Sequence, residues 1–522
     1  MTDRLLIVGW DGADWEILDD LIARDQLPTV RRMIEDGFRA ELASTTPAHS
    51  WAAWPSFLTG LHPAGHGVFD FIERDPRDPQ RRVPATSRSI RAPTFLEMLS
   101  HAEVEVRCGN VPVTYPPPEV KGRIIAGGAI PRGAPFVFPP SWADELDRRA
   151  PFPTNGMAWT RFKGDPESFL NEVEATVDAR TAAFDTLLEG DWSVGVCVYV
   201  ATDRIQHPLG RYLLPSHPDF AELAGTALAE RLRTIYRTLD AHLGRLAAAA
   251  GDGATVVLMS DHGFRPVTRL ADLSRILEHL GFSEPARSAR TTARVRQSSS
   301  IRRLVRTKFG RAMRGRVRVP STVSWNRTRA YKPISGSGVS VNLAGREPEG
   351  IVRPEDYERV RAEVREALLS YRDEGTGERP FADVRCREEL PAGAFAELAP
   401  DLIPSSAPLW SLGHSVGALS APTEWPSATH RNTGILVAAG GRVRGAPSER
   451  PFVGDLAATA LAFCGLDAPG LDGRVITAIT GPFDPRRTAP IEPSRSHEAA
   501  SSMTDEEAEL MADHLRELGY IE

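Results

Sequence analysis

The stretch Ala254-Thr-Val-Val-Leu-Met-Ser-Asp-His-Gly263 indicates the fold class, because a run of apolar and β-branched residues leads directly into an acid, an imidazole and a glycine. Such a run is typical of a strand that is buried on both faces of a sheet. Two further apolar runs end in a carboxylate and a glycine or histidine: Leu5–Val8 before Asp11 and Gly12, and Val194–Val200 before Asp203 and His207. In open α/β sheets, ligands bind at the edge where such strands end.

The rest of the core sequence alternates short β-rich runs with amphipathic helical patterns. This alternation predicts βαβ units, and hence an α/β fold with a mostly parallel central sheet and helices on both faces. Asp165, followed by Pro166, has the character of a helix N-cap. Strands are predicted at 4–9, 104–109, 193–201, 254–259 and 434–438, and helices at 166–189 and 217–250.

The chain of 522 residues is long enough for two to four domains. We predict four parts. Residues 1–275 form the first part of the catalytic core, and 276–420 form a capping insertion in which 285–320 is a basic linker. Residues 421–483 form the closing part of the core, and 484–522 form a linker with a helix that starts at Thr504. The basic linker is either a solvated excursion or a patch that attracts anions or a membrane surface.

Composition places the chain among ordinary globular proteins, with 41% hydrophobic and 25% charged residues. A net charge of −7 does not indicate a nucleic-acid partner. The four cysteines form no CxxC pair, and we expect no disulfide framework. We find no signal peptide, and no apolar run approaches the ~20 residues of a membrane span. The chain is therefore expected to be cytoplasmic, without a transmembrane segment.

Six residues are candidate metal ligands: Asp11, Asp203, His207, Asp261, His262 and His430. Aspartate and histidine together suit zinc or manganese. Two cations about 4 Å apart would need roughly this many protein ligands and would keep positions open for a nucleophile and a substrate oxygen. Taken singly, Asp11 could cap a helix and His207 could be an interior histidine.

A candidate nucleophile lies in the hydroxyl-rich segment 45–60, which precedes a turn at His66 and Gly67. Ser50 stands at the start of a helix predicted over Trp51–Leu58. A nearby dication would make its alkoxide available for attack. Alternatively, Ser50 caps this helix. The two roles are compatible, and the helix N-terminus also offers N–H groups to a phosphate oxygen. His66 is expected to organise its loop.

These motifs resemble those of the alkaline phosphatase superfamily, and within it the type I phosphodiesterase/nucleotide pyrophosphatase branch. The likeness spans about 1–275 and 425–480. The motifs that carry it are Val8–Gly12, Ser50–Gly67 with Thr59-Gly60, Asp203–His207, Ser260–Gly263 and His430-Arg431, followed near the C-terminus by Asp455–Leu466 and Leu471–Arg474. Asp-His-Gly alone is a weak signal, whereas the ordered set is specific.

The resemblance implies two divalent metal ions, expected to be zinc with manganese as the alternative. One ion would be held by Asp11, Asp261, His262 and the nucleophile, and the other by Asp203, His207 and His430. The spacing to Thr59-Gly60 assigns the nucleophile to Ser50, with Thr46 as the alternative. In-line attack of Ser50 on phosphorus would give a phosphoserine that water then hydrolyses. Arg204, Lys121 or a backbone N–H would bind a phosphoryl oxygen.

The sequence thus predicts a two-metal-dependent hydrolase of phosphate esters, with a diester favoured over a monoester. A phosphate-ester small molecule or a lipid head group is the expected partner, with no nucleic acid. Two alternatives remain open. One is a transferase that passes a phosphoryl or head group to an alcohol at the same site. The other is a non-catalytic, metal-stabilised scaffold. The Cys-x-Pro-x-Arg signature of sulfatases is absent around Ser50.

Overall fold

The structure is a computed structural model. It describes residues 3–75, 78–162, 164–286, 323–333, 338–412, 417–467, 469–481, 487–488, 508–512 and 515, with the backbone alone at 74–75 and 78–82. Most of the basic stretch 285–320 and the predicted N-cap Thr504 lie outside the described residues. No helix in the described part of the chain is long and apolar enough to cross a membrane.

The strands of the described residues fall into one large sheet and several small ones. In chain order they are β1 (Leu5–Trp10), β2 (Phe38–Ala43), β3 (Ile72–Asp75), β4 (Asp78–Pro84), β5 (Val106–Gly109), β6 (Gly122–Ile125), β7 (Val137–Phe138), β8 (Val194–Tyr199), β9 (Thr255–Met259), β10 (Gly263–Ala271), β11 (Ala330–Tyr331), β12 (Ser340–Val341), β13 (Phe381–Cys386), β14 (Leu402–Ser406), β15 (Leu409–Leu412), β16 (Ser420–Pro422), β17 (Ala428–Arg431), β18 (Thr433–Gly440), β19 (Leu466–Asp467) and β20 (Arg487–Thr488).

The α-helices alternate with these strands through most of the chain. In order they are α1 (Trp15–Ala23), α2 (Pro28–Asp36), α3 (Ser50–Thr59), α4 (Pro63–His66), α5 (Phe95–His101), α6 (Ala143–Arg149), α7 (Pro166–Leu187), α8 (Ala201–Leu209), α9 (Phe220–Leu223), α10 (Ala227–Ala250), α11 (Leu273–His279), α12 (Tyr357–Ser370), α13 (Asp455–Phe463) and α14 (Thr477–Thr480). Asp165 caps α7, as predicted, since its side chain accepts a hydrogen bond from the N–H of Ser168.

The large sheet has eight strands in the order β2-β18-β9-β1-β8-β5-β6-β7. The five central strands, β9 to β6, run parallel. The strands β18, β2 and β7 at its two sides are antiparallel to their neighbours. The predicted α/β fold with a mostly parallel sheet is therefore confirmed.

Strand β1 shows why helices cover both faces of the sheet. Side chains alternate between the faces of a strand, and all six residues of β1 are buried. Leu6 and Val8 pack in a cluster with side chains of α1, α7 and α10. Leu5 and Ile7 pack in a second cluster with α3, α5 and α13. The continuous apolar run is thus the sequence of a strand between two helical layers.

The chain divides into two compact units. The first comprises Met1–Thr268, Glu388–Ala399 and Thr423–Glu522, and the second comprises Arg269–Arg387 and Pro400–Pro422. The chain leaves and re-enters the first unit at neighbouring residues, because the N–H of Thr423 donates to the carbonyl of Thr268 at 2.9 Å. The predicted boundaries of the insertion, 276–420, and its capping role stay predictions.

The second unit has its own apolar core, to which α11 and α12 contribute. A buried carboxylate, Asp401, anchors its polar interior. Its oxygens accept hydrogen bonds from Arg346 at 2.6 and 2.7 Å, from the Tyr357 hydroxyl at 2.7 Å and from the N–H of Val341 at 2.6 Å. Burial alone would raise the pKa of Asp401, but these partners outweigh it and hold the pKa below its ordinary value.

Candidate active site

Three adjacent strands bring the predicted ligands to one edge of the sheet. Asp11 directly follows β1, and Asp261 and His262 follow β9. Asp203 lies in the first turn of α8, which begins soon after β8. Since β9, β1 and β8 are neighbours and parallel, their carboxyl ends converge. His430 joins them from β17, where it pairs with Phe264 of β10.

The first group of ligands surrounds the hydroxyl of Ser50. The Ser50 Oγ lies 3.0 Å from Nε2 of His262 and 3.4 Å from Oδ1 of Asp11. The His262 Nε2 is also 3.3 Å from Oδ2 of Asp261. Ser50, Asp11, Asp261 and His262 are each at most 1% exposed. One hydroxyl, two carboxylates and one imidazole thus lie together in a buried cluster.

The second group consists of Asp203, His207 and His430. The Asp203 Oδ1 lies 3.3 Å from Nε2 of His207 and 3.4 Å from Nε2 of His430. Asp203 and His207 stand four residues apart on α8 and so share a helix face. Asp203 also lies close enough to Asp11 and His262 to form a second set of ligand atoms within 4.8 Å of one another. The two groups are therefore contiguous.

The three histidines present their Nε2 atoms as acceptors. Each Nδ1 lies 3.2–3.3 Å from a backbone carbonyl: His207 from Ala428, His262 from Gly263, and His430 from Ala48. An Nδ1 that donates to a carbonyl leaves the lone pair of a neutral ring on Nε2. The Nε2 atoms of His207 and His430 are only 2.9 Å apart. Two facing lone pairs at that distance fit a shared cation.

A second observation supports the fit to metal. Oδ2 of Asp261 is buried and accepts no hydrogen bond from the described residues. Buried carboxylate oxygens normally have donors, and a bound cation serves this role. Together the groups supply the imidazole and carboxylate donors that zinc and manganese take. The residues present therefore fit the divalent metals that the sequence predicts.

The electrostatics of the first group show a shortage of positive charge. Burial raises the pKa of Asp11 well above its ordinary value, and the charges of Asp261 and Asp203 add to this. Burial likewise raises the pKa of Asp261 to about 7. Burial, with the neighbouring His430, lowers the pKa of His262. Such a cluster favours a ligand that carries positive charge.

Asp203 differs from the other two carboxylates. Burial alone would raise its pKa, but the charge and hydrogen bonds of His207 and His430, in the form that carries a proton on Nε2, outweigh burial and hold the pKa well below its ordinary value. Asp203 therefore stays ionised between its two histidines.

Ser50 does not cap α3, so that alternative is wrong. The N-cap residue is His49, and no side chain caps the helix N-terminus. The Ser50 hydroxyl instead points to His262 and Asp11. Thr46 lies in the loop before α3.

Lys121 is wrong as a phosphoryl-oxygen donor. It immediately precedes β6, at the amino-terminal edge of the sheet and away from the ligands. Its Nζ pairs with Glu103 at 2.8 Å. Arg204, in contrast, follows Asp203 in α8, and its charge lowers the pKa of Asp11 against the larger effect of burial.

His66 is the last residue of α4. Its Nδ1 accepts a hydrogen bond from the N–H of Val68 at 3.2 Å, and its Nε2 bonds to the hydroxyl of Ser56, on α3, at 3.0 Å. Burial lowers the pKa of His66 to about 3, so the ring is neutral. The ring thus links α3 to the turn after α4.

The sequence reasoning missed two residues at this site: Trp54, which bonds to the predicted ligand Asp11, and Asp14, which bonds to residues of β10 and β17. Trp54 Nε1 donates to Oδ2 of Asp11 at 3.0 Å, and it stands four residues after Ser50 on the same helix face. Oδ2 of Asp14 accepts from the N–H of Phe264 at 2.9 Å and from Arg431 at 2.6 Å. Asp14 thereby joins the loop after β1 to β10 and β17.

Comparison of the sequence with known families gives a match over residues 5–431 to type I phosphodiesterase / nucleotide pyrophosphatase. The chain belongs to this family. It is therefore a phosphoester hydrolase of the alkaline phosphatase superfamily, as the motifs predict. No curated protein matches this phosphodiesterase-family chain significantly in sequence.

Solved structures share the fold of this family member. Phosphonoacetate hydrolase from Sinorhizobium meliloti 1021, in complex with phosphonoformate, has a TM-score of 0.55 at 17% identity, and the match covers 88% of this chain and 95% of that chain. Wild-type alkaline phosphatase PafA has a TM-score of 0.54 at 14% identity, and the match covers 92% and 99% of the two chains. At these identities the likeness shows the fold alone.

Proposed function

We propose that this phosphoester hydrolase cleaves phosphate diesters, with Ser50 as the nucleophile and two divalent cations, zinc or manganese, held by the two ligand groups. The observation that carries the proposal is the position of the Ser50 hydroxyl, 3.0 Å from His262 and 3.4 Å from Asp11, beside the second group. A buried serine with two ligand-type acceptors is poised for deprotonation.

When bound, the cations would lower the pKa of the serine hydroxyl and neutralise charge on the phosphoryl group. The chain itself orients the nucleophile. Asp11, fixed by Trp54, and His262, fixed by the carbonyl of Gly263, hold the Ser50 Oγ from two directions. Since α3 begins at Ser50, its N-terminal dipole also favours negative charge developing there.

The reaction then proceeds in two displacements. Ser50 Oγ forms a bond to phosphorus while the ester oxygen of the first alcohol leaves and takes up a proton. Water next attacks the phosphoserine, which releases a phosphate monoester and returns the proton to Ser50. The family description, with its phosphodiesterase members, supports a diester substrate. A small phosphodiester or a lipid head group fits this chemistry.

The test uses the full chain loaded with zinc or manganese and bis(p-nitrophenyl) phosphate as substrate. We expect Ser50→Ala to lower kcat by at least about a thousandfold, because a nucleophile is lost. Thr46→Ala is the matched control and should retain activity. Turnover of Ser50→Ala at the wild-type rate would overturn the proposal.

A second arm separates hydrolysis from transfer. With an added alcohol acceptor such as glycerol, product analysis should show the phosphate monoester as the main product. A new diester as the main product would instead assign a transferase. Metal content that is lost on dialysis without any loss of activity would exclude the cations from the reaction.

We also propose a cytoplasmic location. The four cysteines, Cys108, Cys197, Cys386 and Cys464, are free. Unpaired cysteines are usual in a reducing compartment. Fractionation of cells that produce the chain would test this, and recovery outside the cytoplasm would contradict it.

A further inference from the structure

Arg180, on α7, carries a buried guanidinium whose donors are largely unused. The residue is 6% exposed. Its Nη2 donates to the carbonyl of Pro153 at 3.3 Å, and its Cζ lies 5.3 Å from the ring centre of Phe152. Its Nε and Nη1 are buried and have no hydrogen-bond acceptor among the described residues. A guanidinium has five N–H donors, and buried donors without acceptors are destabilising.

Arg180 differs in this from the other buried arginines of the described residues. Each of those has a carboxylate within ion-pair distance: Arg91 with Glu73, Arg107 with Glu105, Arg233 with Glu230 and Arg361 with Glu358. The described residues give Arg180 no such partner. Buried charges in proteins are normally paired or bind a ligand. Arg180 is therefore a candidate for a ligand that brings its own negative charge.

The position of Arg180 relates it to the ligand edge of the sheet. The next residue, Thr181, bonds through its hydroxyl to that of Tyr199 at 2.8 Å. Tyr199 is the last residue of β8, so this bond fixes Arg180 near the strand end from which α8 starts. Helix α8 carries the ligand Asp203 and, next to it, Arg204.

Electrostatic coupling supports this proximity. Burial lowers the pKa of Arg180 to about 9, and the charge of Arg204 adds to the shift. The same Arg204 charge acts on Asp11 beside Ser50. Arg180 on α7 and Arg204 on α8 thus interact electrostatically with each other, and Arg204 also interacts with Asp11. An oxyanion between them would relieve their mutual repulsion.

We propose that Arg180, together with Arg204, binds a second oxyanion of the substrate, carried as a carboxylate or phosphate on one of the two ester groups. This inference rests on the proposed function and deepens it. It defines the substrate class as phosphodiesters that carry an additional anion. Arginine suits this role, because its planar fork matches the geometry of carboxylate and phosphate groups.

The test compares two substrates that differ only in this anion: ethyl p-nitrophenyl phosphate and 2-carboxyethyl p-nitrophenyl phosphate. We expect the metal-loaded chain to prefer the carboxylate ester by about tenfold or more in kcat/KM, the size of a charge-assisted pair in a buried site. In Arg180→Met the ratio should fall to about 1. Equal kcat/KM values for the two esters in the wild type would overturn the inference.

A binding measurement separates this inference from the hydrolase proposal. Calorimetry on the Ser50→Ala chain would compare ethyl methyl phosphate with 2-carboxyethyl methyl phosphate, without turnover. Tighter binding of the carboxylate ester that disappears in the Ser50→Ala/Arg180→Met chain supports the anion site even if neither p-nitrophenyl ester is hydrolysed. Hydrolysis of both esters without any binding preference would overturn the anion site alone.

Two further measurements keep the result unambiguous. Arg180→Met should unfold at the wild-type temperature or above, since an unpaired buried charge is removed, whereas Arg233→Met, which loses the hydrogen bond to the carbonyl of Ala224 and one ion pair with Glu230, should unfold earlier. A merely structural Arg180 would show the opposite order. Inorganic phosphate at the same concentration as the ester should leave the preference for the carboxylate ester intact. Loss of this preference would show that the site binds a free anion instead.

Discussion

The imidazole rings of His262 and His430 stack, with centroids 3.9 Å apart and planes inclined by 30°, although they belong to different ligand groups. Phe264 packs edge-on against His430, at 5.3 Å. The two proposed metal sites therefore share an aromatic wall. A change in one histidine alters the packing of the other as well as the ligand set.

This stacking predicts different outcomes for two substitutions of His430. His430→Phe keeps a ring against His262 and removes Nε2, so bound zinc should fall from two ions per chain to one. His430→Ala also removes the wall, and the remaining ion should bind more weakly. Elemental analysis after gel filtration measures both. His242→Phe, which lies outside the ligand groups, is the control, and two retained ions in His430→Phe would contradict the assignment.

The hydrogen bond from the Trp54 indole to Asp11 predicts that a residue outside the ligand groups affects metal binding or catalysis. Trp54→Phe keeps an aromatic ring but removes the hydrogen bond to Asp11. We expect metal affinity or kcat to fall about 10–100-fold, as for other partners that orient ligands. The control is Trp192→Phe, another buried indole, which donates to the carbonyl of Leu188. Equal losses of metal affinity or kcat in the two variants would show that Trp54 acts only through packing.

Gly263 predicts a steric effect next to His262. A Cβ at this position would lie 2.2 Å from Oδ2 of Asp14 and 2.3 Å from the carbonyl of Thr433. Gly263→Ala must therefore displace the start of β10, and we expect it to lower the free energy of unfolding by about 1–3 kcal/mol and to reduce activity. At Gly253 a Cβ would meet nothing within 4 Å. Urea titrations should show Gly253→Ala close to the wild type, and an equally stable Gly263→Ala would contradict the prediction.

Asp401 predicts an acid dependence of stability in the second unit. Its folded pKa lies below the ordinary value of 3.8, so its stabilising contribution is complete above that value and is lost as the pH falls through the folded pKa. At neutral pH, Asp401→Asn should lower the free energy of unfolding by about 3 kcal/mol, since a largely buried pair is broken.

The pH profile provides the check for Asp401. The difference between the wild type and Asp401→Asn should narrow as the pH falls below the folded pKa, because the wild-type carboxyl then becomes neutral as well. Asp383→Asn, which breaks an exposed pair with Arg385, should cost less than about 1 kcal/mol. A difference for Asp401→Asn that does not change between neutral and acid pH would refute the ionic contribution.

The fold and the ligand groups were accessible from the sequence because both follow from local pattern. A buried strand that ends in Asp or His specifies its own place at the sheet edge, as Asp11 and His262 illustrate. The roles of Trp54 and Asp14 were missed because they depend on which distant backbone or carboxylate each side chain meets. Whether Ser50 caps a helix was ambiguous for the same reason, since only tertiary contacts show which groups its hydroxyl meets.

Arg180 illustrates a different limit. Arg233 has Glu230 three residues earlier on its own helix, whereas no acid stands three or four residues from Arg180. The sequence thus shows that Arg180 has no partner on its own helix, but only the tertiary structure shows whether another element supplies a carboxylate.

The pairing of β10 with β17 has a consequence for how this chain tolerates change. Phe264 stands opposite His430, so this pairing places the residues after β9 beside the last predicted ligand of the chain. Neighbouring side chains on a strand point to opposite faces, so a slip by one residue would turn His430 away and put Arg431 in its place. We therefore expect that the segment between the two strands can change in length or be exchanged for another, and that the proposed catalytic site is retained as long as β17 pairs with β10 in the same register.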